Sequence, residues 1–169
     1  MTAPHPAEPR VRSGDDAWAA AAAVPDPELQ VVTIAELGIL RDVSAGPDGV
    51  VVTITPTYSG CPALAVIAED VGRAVAGTGV SDVDVRVVLD PPWSSDDITA
   101  DGRRKLAEAG IAPPGPAGTA GPVALPLAVR CPRCGSTETV ELSRFSAAPC
   151  TALWRCASCA EPFDRVKEH

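Results

Sequence analysis

The chain has 169 residues, enough for one domain of about 90 residues and a smaller second module. Its 14 lysines and arginines against 22 aspartates and glutamates give a net charge of −8. This balance argues against DNA or RNA as a partner, because nucleic-acid affinity depends on neutralised phosphates. The longest apolar run, Trp18–Val24, is far shorter than a membrane span, and the sequence starts without the basic and apolar pattern of a secretory signal. We therefore expect a cytoplasmic protein that meets no membrane.

The first elements along the chain are predicted to be helical. Residues 1–14 mix prolines with charged residues without periodicity, which predicts a disordered lead. Ala17–Val24 is rich in helix formers, and one residue of the Asp15–Asp16 pair is the candidate N-cap. Thr33–Glu36 has the capping-box pattern and predicts a short second helix that ends at Gly38.

A hairpin and a crossover are predicted next. Ile39–Ser44 and Val50–Thr55 are apolar or β-branched runs joined by a loop rich in glycine and proline, which predicts two antiparallel strands. The segment Pro62–Gly77 has apolar residues at helical spacing, and Val83–Leu89 alternates as a strand does. A hairpin followed by a β-α-β crossover predicts a small mixed three-stranded sheet with helices, an α+β domain over residues 15–110.

The end of this domain and the following linker are predicted from composition. Ser94–Asp97 is a capping cluster that predicts a last helix running to Ala109, with Gly110 as its stop. Residues 111–126 are rich in proline and glycine, which predicts a semi-rigid linker. A second module is then expected over residues 127–169.

This second module contains two C-x-x-C pairs, a pattern typical of a four-cysteine zinc ribbon. Cytosolic thiols are normally reduced, so metal binding is favoured over disulfides. Four cysteine ligands leave no open coordination position, so we expect a structural zinc that stabilises a module with a small core. The predicted ligands are Cys131, Cys134, Cys156 and Cys159.

Alternatives remain open within the ribbon. The same thiolates could hold iron, and Cys150 adds a fifth thiol nearby. We interpret Cys150 instead as a small buried residue of the hairpin between the two pairs. Trp154 and Phe145 are expected to form the ribbon's core. A C-x-x-C pair could also act as a thiol oxidoreductase, which bound zinc would prevent.

The sixth cysteine, Cys61, lies between the second predicted strand and the following helix. Helix N-termini lower the pKa of a thiol, so we expect a thiolate that acts as a nucleophile or a metal ligand, unless Cys61 is simply a buried structural residue. Nucleophilic catalysis needs a nearby base, and the two histidines are His5 and His169, close to the ends of the sequence. Metal handling is therefore favoured.

Metal handling by Cys61 also predicts what else the site needs. A single cysteine cannot hold a cluster, so further ligands would come from a donor, a recipient or a second copy in a homodimer. This favours transient transfer of iron or an iron–sulfur cluster over storage. Asp26 and Glu28 could add oxygen ligands, although both also fit a simple turn, and Thr57 is a further candidate for supporting the site.

Several segments resemble known protein families. The likeness to the SufT-like iron–sulfur assembly family is carried by Asp26–Glu28, Leu37–Val43, Thr53–Pro62 and Asp90–Trp93. These segments, combined with Gly102–Leu106, Gly110–Pro114 and the cysteine ribbon, make the chain similar to the PaaD (or PaaJ) family of the phenylacetyl-CoA epoxidase system.

The resemblance implies a maturation factor for the iron centres of a multicomponent monooxygenase in aerobic phenylacetate degradation, with Cys61 matching the family's reactive cysteine. It implies an accessory subunit and not an enzyme, with the oxygenase and reductase subunits of the complex as partners. The alternative is a structural adaptor of the same complex without metal transfer, in which Cys61 is only structural.

Overall fold

The computed structural model describes residues 14–115 and 129–168. Most of the predicted disordered lead lies outside the described residues, as does the part of the predicted linker beyond residue 115. The first helix, α1, spans Gly14–Ala22. The Asp15–Asp16 pair lies in its first turn, where negative charge favours the helix dipole, and not at the N-cap as predicted.

The N-terminal sheet has three strands, β1 (Leu40–Gly46), β2 (Gly49–Ile54) and β3 (Val83–Val87), in that spatial order. β1 and β2 form an antiparallel hairpin, and β2 and β3 are parallel. The predicted α+β fold with a mixed three-stranded sheet is therefore confirmed. The third strand ends at Val87, two residues earlier than predicted, and Leu89 beyond it is exposed.

Helix α2 (Leu64–Ala76) connects β2 to β3 and packs on the sheet. Its predicted apolar stripe is fully buried at Ile67, Val71 and Val75 and partly buried at Leu64. These side chains share one core with Ile54 of β2. Burying an aliphatic side chain of this size stabilises a fold by about 1.5–3 kcal/mol, so the stripe holds the helix on the sheet.

The predicted second helix is a single turn. The Thr33 N–H donates to Glu36 Oε2 at 2.9 Å and the Glu36 N–H donates to Thr33 Oγ1 at 3.2 Å, as a capping box requires. The turn then ends at Gly38, whose φ of +73° stops a helix. The prediction of a helix here is wrong because the chain turns at once into β1.

The predicted last helix is divided in two. A 3₁₀ turn at Ser95–Asp97 is capped by Ser94, and helix α3 (Ala100–Glu108) follows with Thr99 as its N-cap. Gly110 comes directly after the C-cap with a left-handed φ of 81°, as predicted for the stop. None of the helices in the described residues is long and apolar enough to cross a membrane.

The C-terminal module is a four-stranded sheet in the spatial order β4-β7-β6-β5. Its strands are β4 (Ile111–Ala112), β5 (Thr139–Ser143), β6 (Thr151–Cys156) and β7 (Pro162–Val166). β4 comes from the start of the segment predicted as a linker, residues 111–126, and pairs in parallel with β7. The linker prediction is corrected at this point, because Ala112 is buried in the ribbon's core and is therefore part of that module.

The ribbon packs against the N-terminal domain. Val166, at the end of β7, is 2% exposed and belongs to the N-terminal core, and Cys150 packs on the same core. Trp154 contacts the ribbon's own core as expected, whereas Phe145 is 70% exposed, contrary to expectation. This packing brings the loop before β6 beside the loop that carries Cys61.

Candidate functional site

The four ribbon cysteines form the more compact of two candidate sites. Their sulfur atoms all lie within 4.8 Å of one another. The Sγ atoms of Cys131 and Cys159 are 3.8 Å apart, and those of Cys134 and Cys156 are 3.6 Å apart. A tetrahedral zinc with Zn–S bonds of about 2.3 Å needs sulfur separations of about 3.8 Å. The four sulfurs therefore fit one zinc ion.

The backbone after each C-x-x-C pair is shaped to support thiolate ligands. Gly135 and Ala160 follow the second cysteine of their pairs, and both are left-handed, with φ of 76° and 63°. The N–H groups of Ser136 and Glu161 then face the sulfur of that cysteine. Such donors orient and stabilise metal-bound sulfur, so the surroundings of the four thiols also fit a bound metal.

Cys61 lies on the loop between β2 and α2, two residues before the N-cap of the helix at Ala63. Its N–H donates to the carbonyl oxygen of Tyr58 at 3.0 Å, which closes a turn. The N–H groups of Ala63 and Leu64 face its sulfur. The loop thus directs two backbone donors at a half-buried thiol.

The pKa of Cys61 is raised above its ordinary value. Burial is the main cause because it removes water from the thiolate, and the negative charges of Glu28 and Asp26 add to it. The facing N–H groups act in the opposite direction without outweighing burial. The expectation of a thiolate at neutral pH is therefore wrong, and in this conformation Cys61 is a protonated thiol.

Asp26 and Glu28 lie beside Cys61. The side chain of Asp26 is buried, and its Oδ1 accepts the N–H groups of Glu28 at 2.9 Å and Leu29 at 2.7 Å, so it caps this turn. Burial raises the pKa of Asp26, although the two N–H donors lower it. Burial also raises the pKa of Glu28, and the charge of Asp26 raises it further. Both carboxyl groups therefore resist carrying charge in this closed site.

Cys150 is the residue of this site that the sequence did not reveal. It immediately precedes β6, and its Sγ donates to Glu28 Oε2 at 3.8 Å. Burial raises the pKa of Cys150 to about 12, and the negative charges of Glu28, Asp26 and Cys61 add to the shift. Its one signal in the sequence was that it is a ribbon cysteine outside both C-x-x-C pairs. No local pattern placed it against the N-terminal domain.

One small cavity joins these groups. Its free volume is about 10 Å³, barely room for one water molecule. Trp93 closes part of the wall, where its indole N–H donates to the carbonyl oxygen of Leu37 at 2.8 Å. The lining residues are Asp26, Glu28, Leu29, Leu37, Ile39, Pro56, Thr57, Cys61, Ile67, Trp93, Cys150 and Val166. The fold therefore brings Cys61 and the three candidates predicted around it together, in a closed site.

The cavity groups are less tightly gathered than the ribbon thiols. Within residues 14–115 and 129–168, the four ribbon cysteines alone bring three or more ligand atoms within 4.8 Å of one another. Iron at Cys61 would therefore require the cavity to open and its side chains to converge.

Comparison with known proteins identifies both modules. Residues 15–87 match the family described as iron-sulfur cluster assembly protein, and residues 116–167 match the PaaD zinc beta ribbon domain. The chain is 45% identical over 150 residues to a putative 1,2-phenylacetyl-CoA epoxidase subunit of Escherichia coli K12, covering 89% of this chain and 90% of that protein. The chain belongs to the PaaD family of phenylacetyl-CoA epoxidase subunits.

Other relatives match the N-terminal half of this PaaD family member. The Fe-S protein maturation auxiliary factor YitW of Bacillus subtilis is 40% identical over 78 residues, covering 45% of this chain and 76% of that protein. A crystal structure of a domain of unknown function, DUF59, from Bacillus anthracis has 34% identity and a TM-score of 0.52, covering 55% of this chain and 90% of that one. The names of the curated relatives support a role in iron–sulfur assembly.

Proposed function

We propose that this PaaD family member is a maturation factor for the iron centres, di-iron or iron–sulfur, of a phenylacetyl-CoA ring-epoxidising oxygenase complex. The observation that carries the proposal is that Cys61, Asp26 and Glu28 share one cavity in the domain that matches the iron-sulfur cluster assembly family. A relative named as an epoxidase subunit supports the epoxidase complex as the recipient. A relative named as an Fe-S maturation factor supports iron or an iron–sulfur cluster as the cargo. The iron or cluster is the cargo of this site.

The chemistry of the cavity suits an iron cargo. Thiol sulfur and carboxylate oxygen are both ligands that iron accepts. Because the pKa of Cys61 is raised, its thiol loses a proton to solvent when the sulfur binds metal. The N–H groups of Ala63 and Leu64 then stabilise the negative sulfur. Iron binding at Cys61 has to displace the thiol proton and to keep the cavity open. Both requirements weaken binding, so the site is better suited to transferring the cargo than to storing it.

The ribbon zinc has a structural role in this proposal. Four thiolates complete a tetrahedron and leave no position for a substrate. Zinc ligation contributes about 10–16 kcal/mol to the folding of small zinc peptides. A module of this size has a small core and needs such a contribution to stay folded. The metal would therefore hold Cys150 and Val166 in place against the N-terminal domain.

We assign no catalytic step to this chain. A cysteine nucleophile needs a base, and the described part of the chain contains no histidine. The proposed partners are the oxygenase and reductase subunits, which would contain the mature iron centres. A recipient subunit or a second copy of this chain would supply the remaining ligands of the cargo.

A structural adaptor is the second candidate function. Val140 and Leu142 of the edge strand β5 are 54% and 53% exposed, and Phe145 follows them at 70%. Exposed apolar residues on a sheet edge are features of protein contact surfaces. An adaptor would use this surface without needing the Cys61 thiol.

Co-expression of the oxygenase and reductase in a host without homologues separates the two functions. The complex would be produced with the wild-type protein, with Cys61→Ala or without the protein, and its iron content and epoxidase activity measured. Because Cys61 is the proposed iron ligand, we expect Cys61→Ala to lower both to the level reached without the protein.

Ser59→Ala is the matched control, since Ser59 is an exposed residue of the same loop. It should support full iron content and activity. If Cys61→Ala performs like the wild type while omission of the protein still reduces activity, the adaptor function replaces iron delivery.

A further inference from the structure

The ribbon presents Cys150 to the Cys61 cavity from a loop that hydrogen bonds hold in place. The N–H of Lys167 donates to the carbonyl oxygen of Cys150 at 2.9 Å, and Lys167 Nζ donates to the carbonyl oxygen of Pro149 at 2.6 Å. The end of the chain thereby holds the loop before β6. The Cys150 thiol reaches across to Glu28 and lines the same cavity as Cys61.

The cavity gathers groups that become negative when they lose a proton. Two thiols and two carboxyl groups line it, contributed by Cys61, Cys150, Asp26 and Glu28. No lysine, arginine or histidine is among the described residues that line it. Placing several anions in one desolvated space is costly unless a cation joins them. A metal cation with affinity for sulfur is the partner that would neutralise such a set.

We infer that Cys150 is a second thiol ligand of the iron cargo, so that the ribbon and the N-terminal domain each contribute one sulfur to a single site. This inference rests on the proposed function of Cys61. It also gives the ribbon a second role besides stabilising the fold, because the two sulfurs meet only while the ribbon is docked on the N-terminal domain. Two protein sulfurs leave about two positions of a tetrahedral iron for sulfide or for ligands of the recipient.

Cobalt(II) is a suitable probe, because thiolate–cobalt bonds absorb in the near ultraviolet in proportion to their number. Cobalt(II) would be titrated anaerobically into full-length, zinc-loaded protein, with zinc content followed to exclude exchange at the ribbon. The wild type should show the intensity of two thiolate bonds per additional cobalt. Cys61→Ala and Cys150→Ala should each halve that intensity, and the double variant should abolish it.

Controls separate ligation from folding. Cys150→Ser keeps the size of the side chain and should lose the same intensity as Cys150→Ala. Ala147→Ser changes an exposed residue of the same loop and should bind cobalt as the wild type does. Zinc content and thermal melting should stay at wild-type values in every variant used.

The outcomes distinguish this inference from the proposed function. Full intensity in Cys150→Ala, or a wild type that binds no cobalt beyond exchange with zinc, overturns the role of Cys150. If Cys150→Ala also delivers iron in the co-expression assay while Cys61→Ala does not, the proposed function stands without it. A parallel reconstitution with ferrous iron and sulfide shows whether the two thiols hold a single iron ion or a cluster. Whichever species forms in the wild type should be absent from both Cys61→Ala and Cys150→Ala.

Discussion

At the level of single residues, Asp26 links the fold to the charge of the candidate site. The residue is 6% exposed, and its carboxyl group accepts two backbone N–H groups and lies beside Cys61 and Cys150. The hydrogen bonds stabilise the turn, whereas desolvation of the charge opposes folding. Asp26 therefore stabilises the structure through the hydrogen bonds that it accepts and destabilises it when its buried carboxyl group is charged.

Asp26→Asn should retain the turn and remove the buried charge. The pKa of Asp26 is raised above its ordinary value of 3.8, so the folded protein binds the proton more tightly than the unfolded chain. The stability that this proton contributes is present at low pH and is lost as pH rises through the raised pKa. We expect Asp26→Asn to unfold at a higher urea concentration than the wild type at neutral pH.

The pH dependence supplies the check on this prediction. The difference between Asp26→Asn and the wild type should shrink as the pH is lowered through the raised pKa of Asp26 toward its ordinary value of 3.8, compared at pH values at which the ribbon keeps its zinc. Asp26→Ala removes both accepted hydrogen bonds and should cost about 1 kcal/mol or more at each of these pH values. A difference that does not change with pH would show that Asp26 binds its proton equally in the folded and unfolded protein over that range, contrary to a raised pKa.

At the level of elements, the two C-x-x-C turns are equivalent in form but not in sequence. Gly135 adopts its left-handed φ without steric cost, whereas Ala160 adopts φ of 63° with a Cβ atom. A non-glycine residue in this region costs roughly 1–2 kcal/mol. The second turn is therefore the more strained of the two.

Ala160→Gly should relieve this strain. Glycine increases the entropy of the unfolded chain, so we expect a net gain of at most about 1 kcal/mol in the unfolding free energy of the zinc-bound protein. Ala19→Gly is the matched control, because Ala19 is an exposed residue in the interior of α1, where glycine should cost about 0.5–1 kcal/mol. Equal losses in the two variants would contradict the assignment of strain to Ala160.

Local signals explain where the prediction of elements succeeded and failed. The stripe through Ile67, Val71 and Val75 predicted α2 because burial and helical period agree. Thr33–Glu36 satisfied the capping box, yet made one turn because Gly38 takes a left-handed φ of 73° and β1 begins at Leu40. A Cβ atom at Gly38 would come within 2.5 Å of Asp97 Cβ, so tertiary packing also requires glycine at this position.

At the level of the whole molecule, the ribbon covers the Cys61 cavity. Cys150 and Val166 line that cavity from the C-terminal module, and Val166 is buried in the N-terminal core. Zinc should stabilise the module that carries both residues. The state of the ribbon metal is therefore expected to control access to Cys61.

Removal of zinc should expose the Cys61 thiol. With the ribbon unfolded, Cys61 loses its cover and part of the burial that raises its pKa, so its alkylation at neutral pH should accelerate about tenfold or more. A tenfold increase in the alkylation rate requires that docking of the ribbon disfavours exposure of Cys61 by only about 1.4 kcal/mol. Iodoacetamide labelling followed by peptide mass spectrometry measures Cys61 separately from the ribbon cysteines.

Readdition of zinc is the control for this experiment and should restore slow labelling. Circular dichroism should show that the N-terminal domain stays folded without the metal. An unchanged labelling rate at Cys61 after zinc removal would mean that the ribbon does not close the cavity in solution.

The modular plan of the chain could be derived from sequence because it depends on short-range signals. Apolar periodicity predicted the three N-terminal strands and α2, and two C-x-x-C spacings predicted the clustered thiols, since each pair brings two sulfurs together within one turn. Neither inference needed contacts between distant parts of the chain.

The meeting of Cys61 with Cys150 and the raised pKa of both thiols became apparent only from the folded arrangement. Both depend on how the ribbon docks and on how much water that docking excludes. A helix start predicts a low thiol pKa in isolation, but desolvation and two neighbouring carboxylates reverse it. Burial is a property of the assembled molecule, which no local pattern encodes.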